Sequence, residues 1–220
     1  MLSPSDVWPL FDLTITSPRL VMRIVRDDDL PGIVAAAQAG IHDPAVMPFS
    51  VPWTDADPVE MARGMARHQW ELRAGTRPEH WTLNFTVMLD GVPIGTQSLG
   101  ASGFSSTRTV NSGSWLTAAQ QGKGYGKEMR AAALLFAFDH LGAHVAESSA
   151  AVWNQASLGV SSSLGYRQGV VRPIEPRPGH PDELQEVRLV AADFKRPAWG
   201  ITVEGFEDAR RDLFVEVPSG

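Results

Sequence analysis

The pattern of apolar and polar positions divides the chain into alternating extended and helical stretches. Residues 13–25, LTITSPRLVMRIV, are rich in β-branched side chains, which predicts a strand. DDDLPGIVAAAQAG at 27–40 begins with acidic residues suited to a helix N-terminus and stops at Gly40. Four prolines between 41 and 58 break helix and ladder alike, so that stretch is a long loop. A helix over 59–74 carries Val59, Met61, Met65 and Leu72 with charges between them. The clearest signal lies at 80–99, where two alternating runs flank Asp90-Gly91, a favoured type I′ turn pair, and predict a hairpin. A third strand at 107–116 would lie beside it. The run 127–142 is alanine-rich and apolar nearly all round, which predicts a helix covered on both sides and ended by Gly142. A strand follows at 143–152, then a helix at 154–165 between Asn154 and Gly165. Late strands at 166–171 and 183–191 surround a proline-rich loop at 172–181. The order β-α-α-β-β-β-α-β-α-β-β describes a mixed α/β sheet in a single domain, 1–194, with no linker dividing it. In the tail, 195–220, GFEDARRDLF suggests one short helix.

Composition narrows the chemistry. Hydrophobic residues make up 43% and charged residues 20%, proportions able to bury an ordinary core. There is no cysteine, which excludes disulfides, thiol nucleophiles and cysteine metal sites. The histidines show no H-E-x-x-H or similar spacing, so no metal is expected. Neither a signal peptide nor an apolar run of ~18 residues is visible, and the expectation is a cytoplasmic protein with no membrane partner. The net charge of −6 argues against a nucleic-acid partner and is compatible with a cationic substrate such as an amine. Many soluble chains carry such a charge for solubility alone. A homo-oligomer is compatible with all of this.

The stretch QQGKGYGKEMR at 120–130 carries the candidate chemistry. It is not a P-loop, because Lys127 is followed by Glu128 rather than Ser or Thr. It is not the dinucleotide fingerprint either, because the third glycine would fall at 127. It does hold Q-x-x-G-x-G at Gln121, Gly124 and Gly126, between an expected strand and an expected helix. The first N–H groups of a helix lack intrahelical partners and, with the macrodipole, form an anion site. Glycines let the backbone turn tightly and a phosphate approach without meeting a Cβ. Lys123 and Lys127 add positive charge.

That spacing resembles the signature of the GNAT superfamily of acyl-CoA-dependent N-acyltransferases. Residues 113–169 resemble the branch containing the ribosomal-protein N-terminal acetyltransferases: GSWL ends a strand, the Q-G-x-G loop opens a helix, and N-x-x-S opens the next. The element order extends the likeness over roughly 13–194. The resemblance implies a GNAT fold of the α/β (α+β) kind, with a mostly antiparallel sheet and two splayed central parallel strands, 110–117 and 144–152. It implies that amides of Gln121, Gly122, Lys123, Gly124, Tyr125, Gly126 and Lys127 hold the CoA pyrophosphate. The pantetheine arm would run between the splayed strands toward Asn154 and Ser157. A bulge around Trp115–Thr117 would open the gap, and the amides of Leu116 and Thr117 would polarise the thioester carbonyl. Trp115 itself is read as packing. The loop 41–58 and GSWL resemble actinobacterial members of the branch, some of which are succinyltransferases. The donor is therefore acetyl-CoA, with succinyl-CoA as the alternative. The acceptor is a primary amine: a small molecule, a protein N-terminus or a lysine.

Two positions depart from the family pattern. Asn111 stands where many members of the branch have a glutamate, and Ser161 stands where many GNAT enzymes have a tyrosine acid. Ser157 in N-x-x-S is then the candidate acid to the leaving thiolate, with Ser161 second. Candidate bases are His42, Asp43, Asp55, Asp57, Glu60 and His68, of which the histidines need least tuning. His140 and His144 suit structural roles at a helix end. G-x-S-x-G does not occur, so no serine nucleophile is implied. The altered acid positions keep open a second class, a GNAT-fold module that binds CoA without turnover. A phosphotransferase is a third.

Overall fold

The computed structural model describes residues 1–214. A helical turn, α1 (Pro4–Val7), is capped by Ser3 and was not marked in the pattern. The stretch 13–25, expected as one strand, is two: β1 (Thr14–Thr16) and β2 (Leu20–Ile24). Ser17-Pro18 lies between them. Proline has no N–H to continue a ladder, and the chain reverses with the Ser17 amide and hydroxyl both donating to the Leu20 carbonyl (2.9 and 3.3 Å).

After a 3₁₀ turn at Asp27–Asp29 comes α2 (Leu30–Gln38). α3 (Pro58–Gly75) starts on Asp57, whose Oδ1 accepts from the Val59 and Glu60 amides. The expected hairpin is present as β3 (His80–Leu89) and β4 (Val92–Ser102), with positive φ at both Asp90 and Gly91 as a type I′ turn requires. A short helix, α4 (Phe104–Thr107), precedes β5 (Thr109–Leu116). α5 (Tyr125–Leu135) starts two residues before its expected position and widens into a π-helical turn at Phe136–His140. β6 (Val145–Ala151) and α6 (Gln155–Leu164) follow.

The proline-rich stretch 172–181 is not a loop. β7 (Arg167–Arg177) and β8 (His180–Val190) form one long hairpin through it. β7 is an outer strand of the sheet, where a missing N–H facing solvent breaks no ladder, so Pro173 and Pro176 are tolerated. Beyond residue 195, β9 (Thr202–Glu204) pairs with β1, and α7 (Phe206–Leu213) buries Phe206, Ala209 and Leu213 in the core. Residues 215–220 of the expected tail lie outside the described residues.

One nine-stranded sheet, ordered β7-β8-β6-β5-β4-β3-β2-β1-β9, forms the centre, and β5–β6 is its one parallel pair among the described residues. Alternation along β3 separates its faces. Trp81, Leu83, Phe85 and Val87 point to one side, where Phe85 meets Phe136 beyond α5. On the other side Asn84 bonds Gln69 of α3, and Thr86 bonds Asp29 at the start of α2. The helix apolar all round is thus covered as expected, by the sheet and by α6. Among the described residues no helix is long and apolar enough to cross a membrane.

The bulge expected at 115–117 lies instead in the neighbouring strand. β4 pairs Gly95 with Val87 and Pro93 with Met88, which leaves Ile94 as the extra residue. The β4–β5 pairing itself is regular from Gly95–Leu116 to Gly100–Asn111. The bend presses the two backbones together at Gly95. A Cβ there would fall on the Trp115 carbonyl oxygen and 2.9 Å from the Leu116 Cα. Gly95→Ala is therefore expected to cost at least about 2 kcal/mol, or ~4–8 °C in Tm for a chain of this size. Calorimetric melting checks this, and an unchanged Tm would contradict the close approach.

Candidate active site

β5 ends at Leu116, and the glycine loop carries the chain to the first turn of α5. Gly122 and Gly124 hold φ of 72° and 85°, which side-chain-bearing residues rarely adopt. No backbone N–H from Gly122 to Lys127 meets a protein acceptor among the described residues. These free donors gather at the positive end of α5, an arrangement able to receive an oxyanion. Lys123 and Lys127 are exposed beside it.

Arg19, which no local pattern marked, joins them from the start of β2. Its guanidinium lies 4.5 Å from the Tyr125 ring centroid and bonds the Lys123 carbonyl at 3.3 Å. Glu128, only 6% exposed, holds it there. The Glu128 carboxylate accepts from Arg19 Nε (2.6 Å), the Arg19 amide (2.8 Å) and Ser17 Oγ (2.9 Å).

Next to the loop the sheet opens. β5 and β6 pair only at Thr109–Val145, Val110–Ala146 and Asn111–Glu147, then part. Beyond that point β6 pairs with β8 alone. Alternation along β5 turns the main-chain groups of Gly113 and Thr117 toward β4, where their amides donate to Ser98 Oγ (3.1 Å) and the Ile94 carbonyl (2.8 Å). The groups of Ser112, Ser114 and Leu116 therefore face the gap. Of the two amides expected at the thioester, that of Leu116 faces the gap. Thr117 is engaged elsewhere: its amide is on Ile94, and its hydroxyl donates to the Gly40 carbonyl at 3.3 Å.

Across the gap, Asn154 caps α6, its Oδ1 accepting from the Ser157 amide at 3.1 Å. The Ser157 hydroxyl is half-buried, with no protein partner among the described residues. Ser161 differs: it is 2% exposed, and its hydroxyl donates to the Ser157 carbonyl at 3.1 Å.

The loop 41–58 covers the opposite face, the one toward which Trp115 points. Half-buried rings run from Trp115 to Trp53 (5.9 Å), Phe49 (5.1 Å) and His42 (5.7 Å). Four of the six candidate bases are already committed. Asp43 accepts from the Ala45 amide, Asp57 caps α3, Glu60 pairs with Arg63 and Arg67, and Asp55 makes a two-point contact with Arg177 (2.6 and 2.7 Å). His68 is exposed on α3. His42 Nδ1 lies 2.8 Å from the Asp43 carbonyl and Nε2 lies 2.8 Å from Thr54 Oγ1. A carbonyl only accepts, so the neutral ring carries its hydrogen on Nδ1, and its lone pair faces the Thr54 hydroxyl.

Gln121 joins the two halves in an unexpected way. Its amide, expected among the anion-loop donors, instead donates to the Ala118 carbonyl at 3.1 Å, and its side chain does not face the anion loop either. Its Nε2 donates to the Ile41 carbonyl (2.7 Å) and to the Leu116 carbonyl (2.8 Å), tying the loop 41–58 to the end of β5.

The anion cradle at a helix N-terminus and the parted parallel pair both lie within an acetyltransferase domain. The chain belongs to the GNAT acetyltransferase family, whose domain model matches residues 19–167. Its fold is similar to that of Mycobacterium smegmatis RimJ in complex with CoA-disulfide (TM-score 0.67, 18% identity, 94% of this chain and 99% of that one). It is also similar to the ribosomal alpha-N-protein acetyltransferase RimL in complex with coenzyme A (TM-score 0.61, 15% identity, 79% and 95%). A GCN5-related N-acetyltransferase from Brucella melitensis is a third such structure (TM-score 0.63, 13% identity, 82% and 79%). At these identities the likeness is one of fold.

The clamp on loop 41–58 has a calculable pH response. Hydrogen bonds from Arg177 hold the Asp55 carboxyl below its ordinary value of 3.8, against a smaller desolvation effect. A depressed carboxylate contributes stability above its unfolded value and loses it only as pH falls through the lower folded value. Cleavage of the loop by protease should stay flat from about pH 8 to about pH 5, with protection lost only below the ordinary carboxylate range. Arg177→Ala should expose the loop at every pH. Equal protection in the variant would show that the clamp holds nothing.

Proposed function

We propose that this protein transfers an acetyl group from acetyl-CoA to a primary amine, by direct attack while both are bound. The observation that carries the reading is the run of unpartnered amides from Gly122 to Lys127, opening onto the gap between β5 and β6. The loop takes the pyrophosphate, with Lys123, Lys127 and Arg19 around it. The gap takes the pantetheine arm, beside Asn154. The Leu116 amide donates to the thioester oxygen as it gains charge.

The amine attacks from the face lined by Trp115, Trp53 and Phe49. Aromatic faces attract an ammonium, and the protein must then remove its proton. The geometry favours His42 over the committed carboxylates: the amine proton passes to Thr54 Oγ1 as the Thr54 proton passes to His42 Nε2. When the tetrahedral adduct collapses, the Ser157 hydroxyl donates to the leaving sulfur. Ser161 is the weaker candidate, because its hydrogen is held by its own helix. The aromatic wall also favours acetyl over succinyl, whose carboxylate would be costly to bury against those rings, and Arg177, the arginine that holds that loop, is already paired with Asp55. Because RimL acts on a protein α-amine, we assign the acceptor as a protein N-terminus.

Thiol release from acetyl-CoA tests this against a peptide with a free α-amine, the same peptide blocked but carrying lysine, and a polyamine. The free α-amine should react fastest, and acetyl-CoA should outrun succinyl-CoA. Gly126→Asp should abolish CoA binding with the fold retained. A side chain has room there (nearest atom 3.9 Å), and an acid in a helix's first turn is favourable, yet it opposes phosphate. Ser157→Ala should lower kcat about 10²-fold with little change in KM for CoA, and Ser161→Ala less than about tenfold. Tight CoA binding with no thiol release for any acceptor would make this a CoA-binding module instead.

A further inference from the structure

Arg130 is a buried cation that the proposed reaction leaves unused. It lies four residues beyond Gly126, hence one turn deeper on the same face of α5, beneath the parted strands. It is 5% exposed and makes no ion pair among the described residues. Its terminal nitrogens reach Ser114 Oγ of β5 (3.2 Å) and Ser148 Oγ of β6 (3.3 Å). Both serines stand beyond Asn111 and Glu147, the last residues the two strands share. The guanidinium therefore spans the gap itself. Its Nε has no partner among the described residues.

Such an arrangement is expensive for a protein that only has to fold. A buried charge is ordinarily paired, and a buried donor ordinarily meets an acceptor. Two long bonds to neutral hydroxyls satisfy two of five N–H donors. An apolar side chain would fill the same space at lower cost. The arrangement is explained if an acceptor group enters the gap when ligand binds. Resting on the CoA reading above, we propose that Arg130 reads the pantetheine arm: its guanidinium forms the floor of the gap and donates to an amide carbonyl of the arm. The nucleotide half of CoA, held at the loop, does not depend on it. Arg130 is thus a specificity-determining residue, distinguishing the whole cofactor from its nucleotide.

Calorimetric binding of two ligands tests this: CoA, and the nucleotide half alone, adenosine 3′-phosphate 5′-diphosphate. Arg130→Met should weaken CoA about 10- to 100-fold, the effect of losing a charged hydrogen bond. The nucleotide half should stay within about twofold, which also shows that the variant is folded. Arg130→Lys keeps the charge but not the fork, and should fall between. If Arg130→Met fails to fold, the lysine variant carries the same comparison. Parallel loss of both ligands would make Arg130 a strut for the strands and overturn the proposal, as would unchanged CoA affinity. Wild-type protein that bound neither ligand would overturn the CoA reading itself.

Discussion

The parting of β5 from β6 after Asn111 and Glu147 is the constraint from which the site follows. A sheet interior cannot leave main-chain groups unpaired without cost. Here each strand keeps its outer partner, β5 on β4 and β6 on β8, so the opening has firm walls. Its inner end is closed by Ser148 Oγ on the Ser112 carbonyl at 2.8 Å, and Arg130 bridges the next step. Its outer end meets the glycine loop, where the unpaired groups are the amides of a helix start. Unmet donors therefore run from the loop into the gap, along one path suited to a ligand with phosphate at one end and amides along its arm.

The path is useful only if the acceptor side keeps its place across the sheet. Two contacts between distant parts of the chain do this, and a third steadies the glycine-loop side. The Gln121 carboxamide locks the Ile41 carbonyl to the Leu116 carbonyl, so the loop carrying His42 is fixed to the end of β5, where the proposed reaction puts the thioester. Arg177, at the tip of the β7–β8 hairpin, closes the same loop from outside through Asp55 and the Pro44 carbonyl. Glu128 fixes Arg19 against the phosphate side. An acid in the first turn of α5 complements the helix dipole but lowers the potential of the cradle, and Arg19 returns a positive charge to the same place.

Most of this fold was legible in sequence, and the illegible parts share a cause. The Asp90-Gly91 hairpin and the glycine loop are set by residues adjacent in the chain, and they were found as read. Helix α5 was also read, with Lys127, Glu128 and Arg130 visible at the head of an otherwise apolar run. What they touch was not, because Arg19 lies 109 residues from Glu128. The prolines of 172–181 were read by their local habit, whereas their place on an outer strand is a property of the whole sheet. The Gln121 amide was assigned to the cofactor because it belongs to the loop motif, yet it is bonded to the Ala118 carbonyl and its side chain serves the opposite face. Motif spacing gives position along the chain; only the fold gives direction.

Helix α6 shows how direction selects among equivalent residues. Its sequence, QASLGVSSSL, is a poor helix former, with glycine and four serines in ten positions. The ends compensate. Asn154 caps the start, and Gly165, at φ 102°, closes the finish with its amide on the Ser161 and Ser162 carbonyls. Within the helix, Ser161 and Ser163 turn their hydroxyls back onto the carbonyls of Ser157 and Val160, the local bonds helical serines favour. Ser162 is exposed. Ser157 alone is half-buried with its hydroxyl unspent, one turn from the cap that faces the gap. A hydroxyl bonded to its own backbone must give up that bond before it can donate to sulfur, whereas an unspent one does not. The weak helix thus leaves one unspent hydroxyl a turn from its cap, and this supports the proposal of Ser157 as the acid independently of the motif that first suggested it.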